Sequence, residues 1–285
     1  MKIGLIGCGY WGKNLIREFN KLGVLDTICD NNEVILHKYK EMYPNLKLTA
    51  EWDKVLLDNT ITAVCISLPT NDHYKYVKKS LLNNKDVFVE KPFTLSIKEA
   101  EELDEIASKK NKIIMIGHLL NYHPCIEKIK EIMKEGNIGK IKSIISNRLN
   151  YGRFVNNENV LWSLASHDIS IILSLCNNKI PNKIICNGIN NIYNSVLIYE
   201  DKYININSSK LSPYKERKMI IHCENGILLF DDLKIRDKLI YYSEDGKNKI
   251  IYYDDSKTPL LKECEHFIEC CKERKKPITD SKEGL

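Results

Sequence analysis

Three sets of residues in this chain have the types and spacing to do chemistry. The first is "GLIGCGYWGKNL", where Gly7, Gly9 and Gly12 stand as G-x-G-x-x-G. Glycine at such places lets a backbone turn tightly and approach a pyrophosphate, whose charge a helix N-terminus favours. The second is "VFVEKPF", in which Glu90, Lys91 and Pro92 follow a short apolar run. A lysine held between a buried strand and a proline has a restricted direction, more so if the Lys91–Pro92 bond is cis. Partial burial would draw its pKa toward neutrality and suit it to carry a proton. The third is "LWSLASHDISIILSL", residues 161–175, with His167 and Asp168 inside an apolar helical pattern. Taken alone, such a histidine reads as an ordinary core residue.

The elements that must position these groups follow from the apolar pattern. Lys2 to Ile6 reads as a strand, Asn14 to Leu22 as an amphipathic helix stopped by Gly23, and Val24 to Cys29 as a second strand. Further apolar runs at Ala63 to Leu68, Val87 to Val89 and Lys112 to Ile116 alternate with helical stretches at Asp72 to Leu82 and Ser96 to Lys109. That alternation predicts a parallel sheet wound by helices, with the glycine loop between the first strand and its helix. Asp30 then ends the second strand about twenty residues past the glycines, where a carboxylate accepts from both ribose hydroxyls and repels a 2′-phosphate. NAD is expected over NADP. The competing reading of Asp30 is a plain turn residue in "CDNN".

After Asn121 the pattern changes. "HPCIEKIKEIMKEG" predicts a helix with Pro124 near its start and Gly136 at its end, and "KIKSIISNRLN" predicts a strand. From Val196 on, strand runs joined by "ED", "ENG" and "EDG" predict an antiparallel meander. The expected fold class is α/β: a Rossmann dinucleotide-binding domain over residues 1–118, then an α+β domain over 119–285 with a mostly antiparallel sheet.

Composition narrows the class. At 285 residues, 43% hydrophobic and 28% charged, the chain has enough apolar material for two cores. The net charge of +5 is scattered along the sequence, which argues against nucleic-acid binding. Of the ten cysteines most lie far apart, as Cys8, Cys29, Cys65 and Cys125 do, and none forms C-x-x-C, the pattern of reduced cytosolic thiols. No run approaches ~18 apolar residues, so neither a membrane span nor export is expected. A cytoplasmic protein without a metal site is the expectation.

Together the motifs resemble the glucose–fructose oxidoreductase / inositol dehydrogenase (Gfo/Idh/MocA) family. The likeness runs through "GLIGCGYWGKNL", "LPTNDHYKYVKKSLLNNKDVFVEKP", "IGHLLNYHPCIEKIKE" and "HDISI", and includes P-x-x-x-H from Pro69 to His73. It implies Lys91 and His167 as the pair flanking the reacting carbon. It also implies that Tyr10, Trp11, Pro69, Thr70, His73, Glu90 and Lys91 join the glycines and Asp30 in holding NAD. Asn121, Tyr122, Arg148, Arg153, His167, Asp168 and Lys91 are the implied substrate contacts. Two positions depart from the family pattern: Ser163 stands where an aspartate often precedes the histidine, and Asn121–Tyr122 replaces "RF". Relatives also continue into a closing helix beyond "ITDSKEGL".

"NRLNYGRFVNNENVLW" resembles the branch that oxidises C3 of UDP-N-acetylglucosamine or its uronic acid. In that branch Arg148 and Arg153 would fork onto the diphosphate of a UDP-sugar; the alternative is a pair of strand-surface arginines. The resemblance thus implies an NAD-dependent, homo-oligomeric dehydrogenase that makes a keto sugar nucleotide for a surface polysaccharide or lipid. The rivals are a dehydrogenase or ketoreductase of a free sugar or inositol, and a non-catalytic dinucleotide sensor.

Overall fold

A computed structural model describes residues 1–151, 159–189 and 191–285. In chain order the first elements are β1 (Ile3–Ile6), α1 (Gly12–Lys21), β2 (Leu25–Cys29), α2 (Glu33–Met42), β3 (Lys47–Thr49), α3 (Trp52–Leu57) and β4 (Ala63–Ile66). Then come α4 (Thr70–Leu82), β5 (Asp86–Glu90), α5 (Ile97–Lys110), β6 (Ile114–Gly117), α6 (Pro124–Glu135) and β7 (Ile141–Tyr151). After them follow α7 (Ser166–Leu175), β8 (Lys183–Ile189), β9 (Ile192–Ile198), β10 (Tyr203–Ser209), β11 (Leu211–Cys223) and β12 (Gly226–Asp231). Last are β13 (Leu239–Tyr242), β14 (Asn248–Ile250), α8 (Pro259–Glu273) and α9 (Ser281–Gly284).

Two compact units form: Met1–Leu119 with Lys257–Leu285, and Leu120–Ser256. In the first, the described strands make a six-stranded sheet in the order β3-β2-β1-β4-β5-β6, every pair parallel. Every residue of β1, β4, β5 and β6 is buried, as expected of strands covered by helices on both faces. The strand order reverses beside β1, and the crevice at such a reversal is where open α/β sheets bind ligands. α2, β3 and α3 are additional to the elements expected from the apolar pattern. β3 is only three residues long, and α2 buries just Tyr39, so neither carries a strong apolar period.

The expected boundary is corrected at its far end. Residues 257–285, assigned from sequence order to the second domain, pack on the first. Phe267 of α8 lies edge-on to Phe19 of α1 and to Phe88 of β5, with ring centroids 6.3 and 5.7 Å apart. Beyond α8 the chain pairs with β6: Ile116 N–H donates to the Thr279 carbonyl at 2.8 Å, and the Thr279 hydroxyl donates to the Ile116 carbonyl at 2.7 Å. An apolar helix face is buried where a complementary face exists, whatever its distance along the chain.

In the second unit the described strands form an eight-stranded sheet, β14-β13-β12-β11-β7-β10-β9-β8. It is antiparallel except where β10 runs parallel to β7. Alternate residues Ile144 of β7, Ile206 of β10 and Ile221 of β11 meet Ile126 and Ile129 of α6 and Ile171 and Ile172 of α7 in one core. β8 escapes the pattern reading because all of it is exposed, so no apolar alternation marks it. The ten cysteines are free, and no described helix is long and apolar enough to cross a membrane.

Candidate active site

The glycine loop owes its shape to close contacts. Gly7 has φ +94°, and a Cβ there would stand 2.3 Å from the Ser67 carbonyl oxygen. A Cβ on Gly12 would stand 2.0 Å from the Gly7 carbonyl oxygen, so α1 begins against the loop itself. At Gly9 a Cβ would meet nothing within 4 Å: its bare face looks onto open space, where a phosphate can approach the backbone. α1 starts at Gly12 with no acid in its first turn, which leaves the helix N-terminus favourable to an anion.

Asp30 leaves β2 beside this loop. Its Oδ2 accepts the Cys8 N–H at 2.7 Å and its Oδ1 accepts the Asn32 N–H at 2.9 Å. The carboxylate is therefore fixed in place, and each oxygen retains a lone pair for a ribose hydroxyl. Gly7, Gly9, Asp30 and Pro69 line a cleft of about 300 Å³ together with Ser67 and Trp52. An adenosine with its pyrophosphate suits that donor and acceptor set, so these residues fit a dinucleotide. Ser67 and Trp52 escaped the motif search; their signal is position, within a few residues of the carboxyl ends of β4 and β3. Tyr10 is exposed, with the Lys13 ammonium 5.0 Å from its ring centroid, and Thr70 is the half-buried first residue of α4.

The exits of β4 and β5 are tied together by His73. Its Nδ1 lies 2.8 Å from the Pro92 carbonyl and its Nε2 2.9 Å from the Leu68 carbonyl. Burial pushes its pKa down, against the pull of those carbonyls. His73 is therefore corrected from a cofactor contact: it is 1% exposed between the two loops, and as the neutral imidazole it donates to one of these carbonyls while its other nitrogen faces the second. Lys91 is half-buried, and its bond to Pro92 is cis. Glu90 is buried and accepts the Trp11 indole N–H. Burial pushes the Glu90 carboxyl up to about 7, while the Trp11 hydrogen bond and the Lys91 charge oppose the rise.

The second unit holds the expected substrate residues. A π-helical turn, Leu161–Ala165, leads into α7 and sets half-buried His167 at the second position of that helix. Such turns recur at functional sites. Ser163 lies in the turn, and its hydroxyl donates to the Asn159 carbonyl at 3.2 Å. Asp168 and Arg148 are corrected. Arg148 is 5% exposed and forks onto Asp168, with Nε 2.5 Å from Oδ2 and Nη2 3.0 Å from Oδ1. Burial opposes the guanidinium charge, and the Asp168 carboxylate more than restores it, so Arg148 is held above its ordinary range. This is a buried ion pair joining β7 to α7, not a strand-surface arginine open to a diphosphate. Asn121 is corrected as well: it is buried, its amide donates to the Ser170 hydroxyl at 2.5 Å, and it accepts from the Lys130 ammonium at 2.9 Å. Tyr122 is 2% exposed, and its ring is core. Arg153 lies outside the described residues.

A wholly parallel sheet with a glycine loop at the strand reversal and an acid ending the next strand is an NAD-binding Rossmann domain. Residues 1–118 match the family model for the Gfo/Idh/MocA oxidoreductases, described as an NAD-binding Rossmann fold. UDP-N-acetylglucosamine 3-dehydrogenase of Acidithiobacillus ferrooxidans is 27% identical over 131 residues, 46% of this chain and 41% of that protein. The aligned part is under half the length of each of the first curated relatives. A solved structure of the Acidithiobacillus dehydrogenase superposes with a TM-score of 0.91 at 20% identity, covering 100% of this chain and 93% of that one. An Agrobacterium radiobacter oxidoreductase, solved with NAD⁺, L-tartaric acid and magnesium, gives 0.84 at 13% identity, covering 100% and 92%. At such identities these structures show the fold, and they agree with the α/β class read from the sequence.

Proposed function

We propose that the protein is an NAD-dependent dehydrogenase that oxidises a sugar hydroxyl, with C3 of UDP-N-acetylglucosamine or its uronic acid as the position attacked. The observation that carries this is the set of strand exits in the first unit: the open Gly9 face, the anchored Asp30 carboxylate, and Lys91 leaving the buried β5. NAD, when bound, supplies a hydride acceptor. Lys91 takes the proton of the sugar hydroxyl, because an alkoxide is costly to form unaided at neutral pH. His167 is the second candidate for that proton, on the family resemblance and the π-helical turn before it.

The UDP-sugar is supported by likeness to the Acidithiobacillus enzyme and by "NRLNYGRF". With Arg148 engaged by Asp168, Arg153 is the remaining candidate for the diphosphate. The product would be a 3-keto sugar nucleotide made in the cytoplasm. Exposed Ile184, Ile189, Ile192 and Tyr203 on the second unit's sheet favour a homo-oligomer.

The test offers the purified protein UDP-N-acetylglucosamine, its uronic acid, the same sugars without UDP, and inositol, each with NAD or NADP. Reduced nicotinamide should appear with the UDP forms and NAD. Because the Asp30 carboxylate repels a 2′-phosphate, NAD should bind roughly tenfold or more tightly than NADP. Equal turnover of the free sugar would overturn the UDP assignment, and tight NAD binding without turnover of any sugar would favour a sensor.

A further inference from the structure

Glu263 is a buried acid that no step above uses. It lies on α8 at 0% exposure, and among the described residues no hydrogen-bond partner reaches either of its carboxyl oxygens. Three contacts fix what it faces. Arg274, just past α8, bonds Asp86 at the start of β5 at 2.7 Å, and Phe267 packs on Phe88 of β5. α8 therefore runs antiparallel to β5. One helical turn back from Phe267 is Glu263, about 6 Å along the axis, and two residues on from Phe88 is Glu90, about 6.6 Å along the strand on the same face. The two acids meet at the exit of β5.

They cannot both be ionised at little cost in so buried a place. Glu90 has the Trp11 indole as a donor and the Lys91 charge beside it, whereas Glu263 has neither. Burial first, and then the charge on Glu90, push the Glu263 carboxyl well above its ordinary range. Among the described residues the thiols of Cys65 on β4 and Cys264 on α8 also stand near the pair, and burial holds them well above their ordinary value and so uncharged; buried Glu18 of α1, which acts on Cys264, is bonded by the Arg17 guanidinium. Glu90 is also confined from β6, since a Cβ on Gly117 would stand 3.0 Å from its carboxyl.

We infer that Glu263 is a positioning residue, kept as the neutral acid with its O–H directed at the Glu90 carboxylate, so that Glu90 stays charged and aligned between Trp11 and Lys91. The role assigned to Lys91 under the proposed function bears only on the turnover arm of the test. The infrared arm needs neither cofactor nor substrate.

The experiment compares the full-length protein with Glu263→Gln, which keeps a donor but cannot ionise, and Glu263→Met, which has no donor. At neutral pH the wild-type-minus-Gln infrared difference spectrum should contain a carboxylic-acid C=O stretch. With a substrate that turns over, Glu263→Gln should stay within about twofold of wild type with the same pH profile. Glu263→Met should lose roughly tenfold in kcat, the worth of one hydrogen bond to a charged group, with its acid limb moved to higher pH. Absence of the acid band would overturn the inference, as would a Met variant with wild-type kcat and pH profile, or a Gln variant as impaired as the Met variant. If no sugar turns over, the band decides the protonation state, and Trp11-linked NAD affinity replaces kcat: retained in the Gln variant, weakened in the Met variant.

Discussion

Lys91 follows directly on a strand whose five residues are all buried, so its backbone starts from a fixed point at the sheet's edge. A side chain so anchored is suited to proton transfer rather than to loose charge attraction. Lys91→Ala should therefore lower kcat by roughly 10²–10⁴-fold, the usual worth of general acid–base catalysis, and change NAD affinity far less. Steady-state rates and a dinucleotide titration on the same sample check this; near-normal turnover removes Lys91 from the mechanism. Lys91, Asp30 and the glycines are legible in the sequence because each stands at a strand end marked by a few neighbouring residues. The burial of His73, Asn121 and Arg148 is not legible there, because their polar atoms face groups 19, 49 and 20 residues away.

At the scale of elements, the Arg148–Asp168 pair joins the central strand β7 to α7, the helix that carries His167. Removing one partner leaves the other as an uncompensated buried charge, which costs about 3–5 kcal/mol, whereas replacing both by apolar residues of similar volume costs much less. Arg148→Met and Asp168→Asn should each lower the denaturant midpoint markedly, and a double apolar variant should recover much of the loss. Chemical unfolding of the three variants checks the coupling. Equal, additive losses would show that the pair is not a unit. Both residues stand in legible elements, yet the pairing does not follow from "NRLNYG" or "SHDIS" alone. A strand's inward face is read from alternation, but which helix residue lies across from it depends on how α7 packs.

For the whole molecule, the return of residues 257–285 to the first unit brings an acid into the buried region behind the E-K-P turn. The unfolded chain releases the Glu263 proton near the ordinary value of 4.5, and the folded chain only at higher pH. Between those points the folded state binds more protons, so wild-type stability falls with rising pH relative to Glu263→Gln, by about 1.4 kcal/mol per pH unit. Urea unfolding of both proteins from pH 5 to 8 measures that slope, and parallel curves would show that Glu263 ionises normally. The parallel α/β unit, its phosphate loop, the acid at position 30, the E-K-P turn and the meander that follows are all legible in residue order alone. Each is written in glycine spacing or apolar period within a few residues of the element concerned. It took the folded chain to show that the C-terminal helix packs in the first unit, that Arg148, Asn121 and His73 are buried, and that Glu263 lies across from Glu90. Burial and pairing of a polar side chain depend on residues brought together from distant parts of the chain, and local periodicity carries no record of which partner arrives.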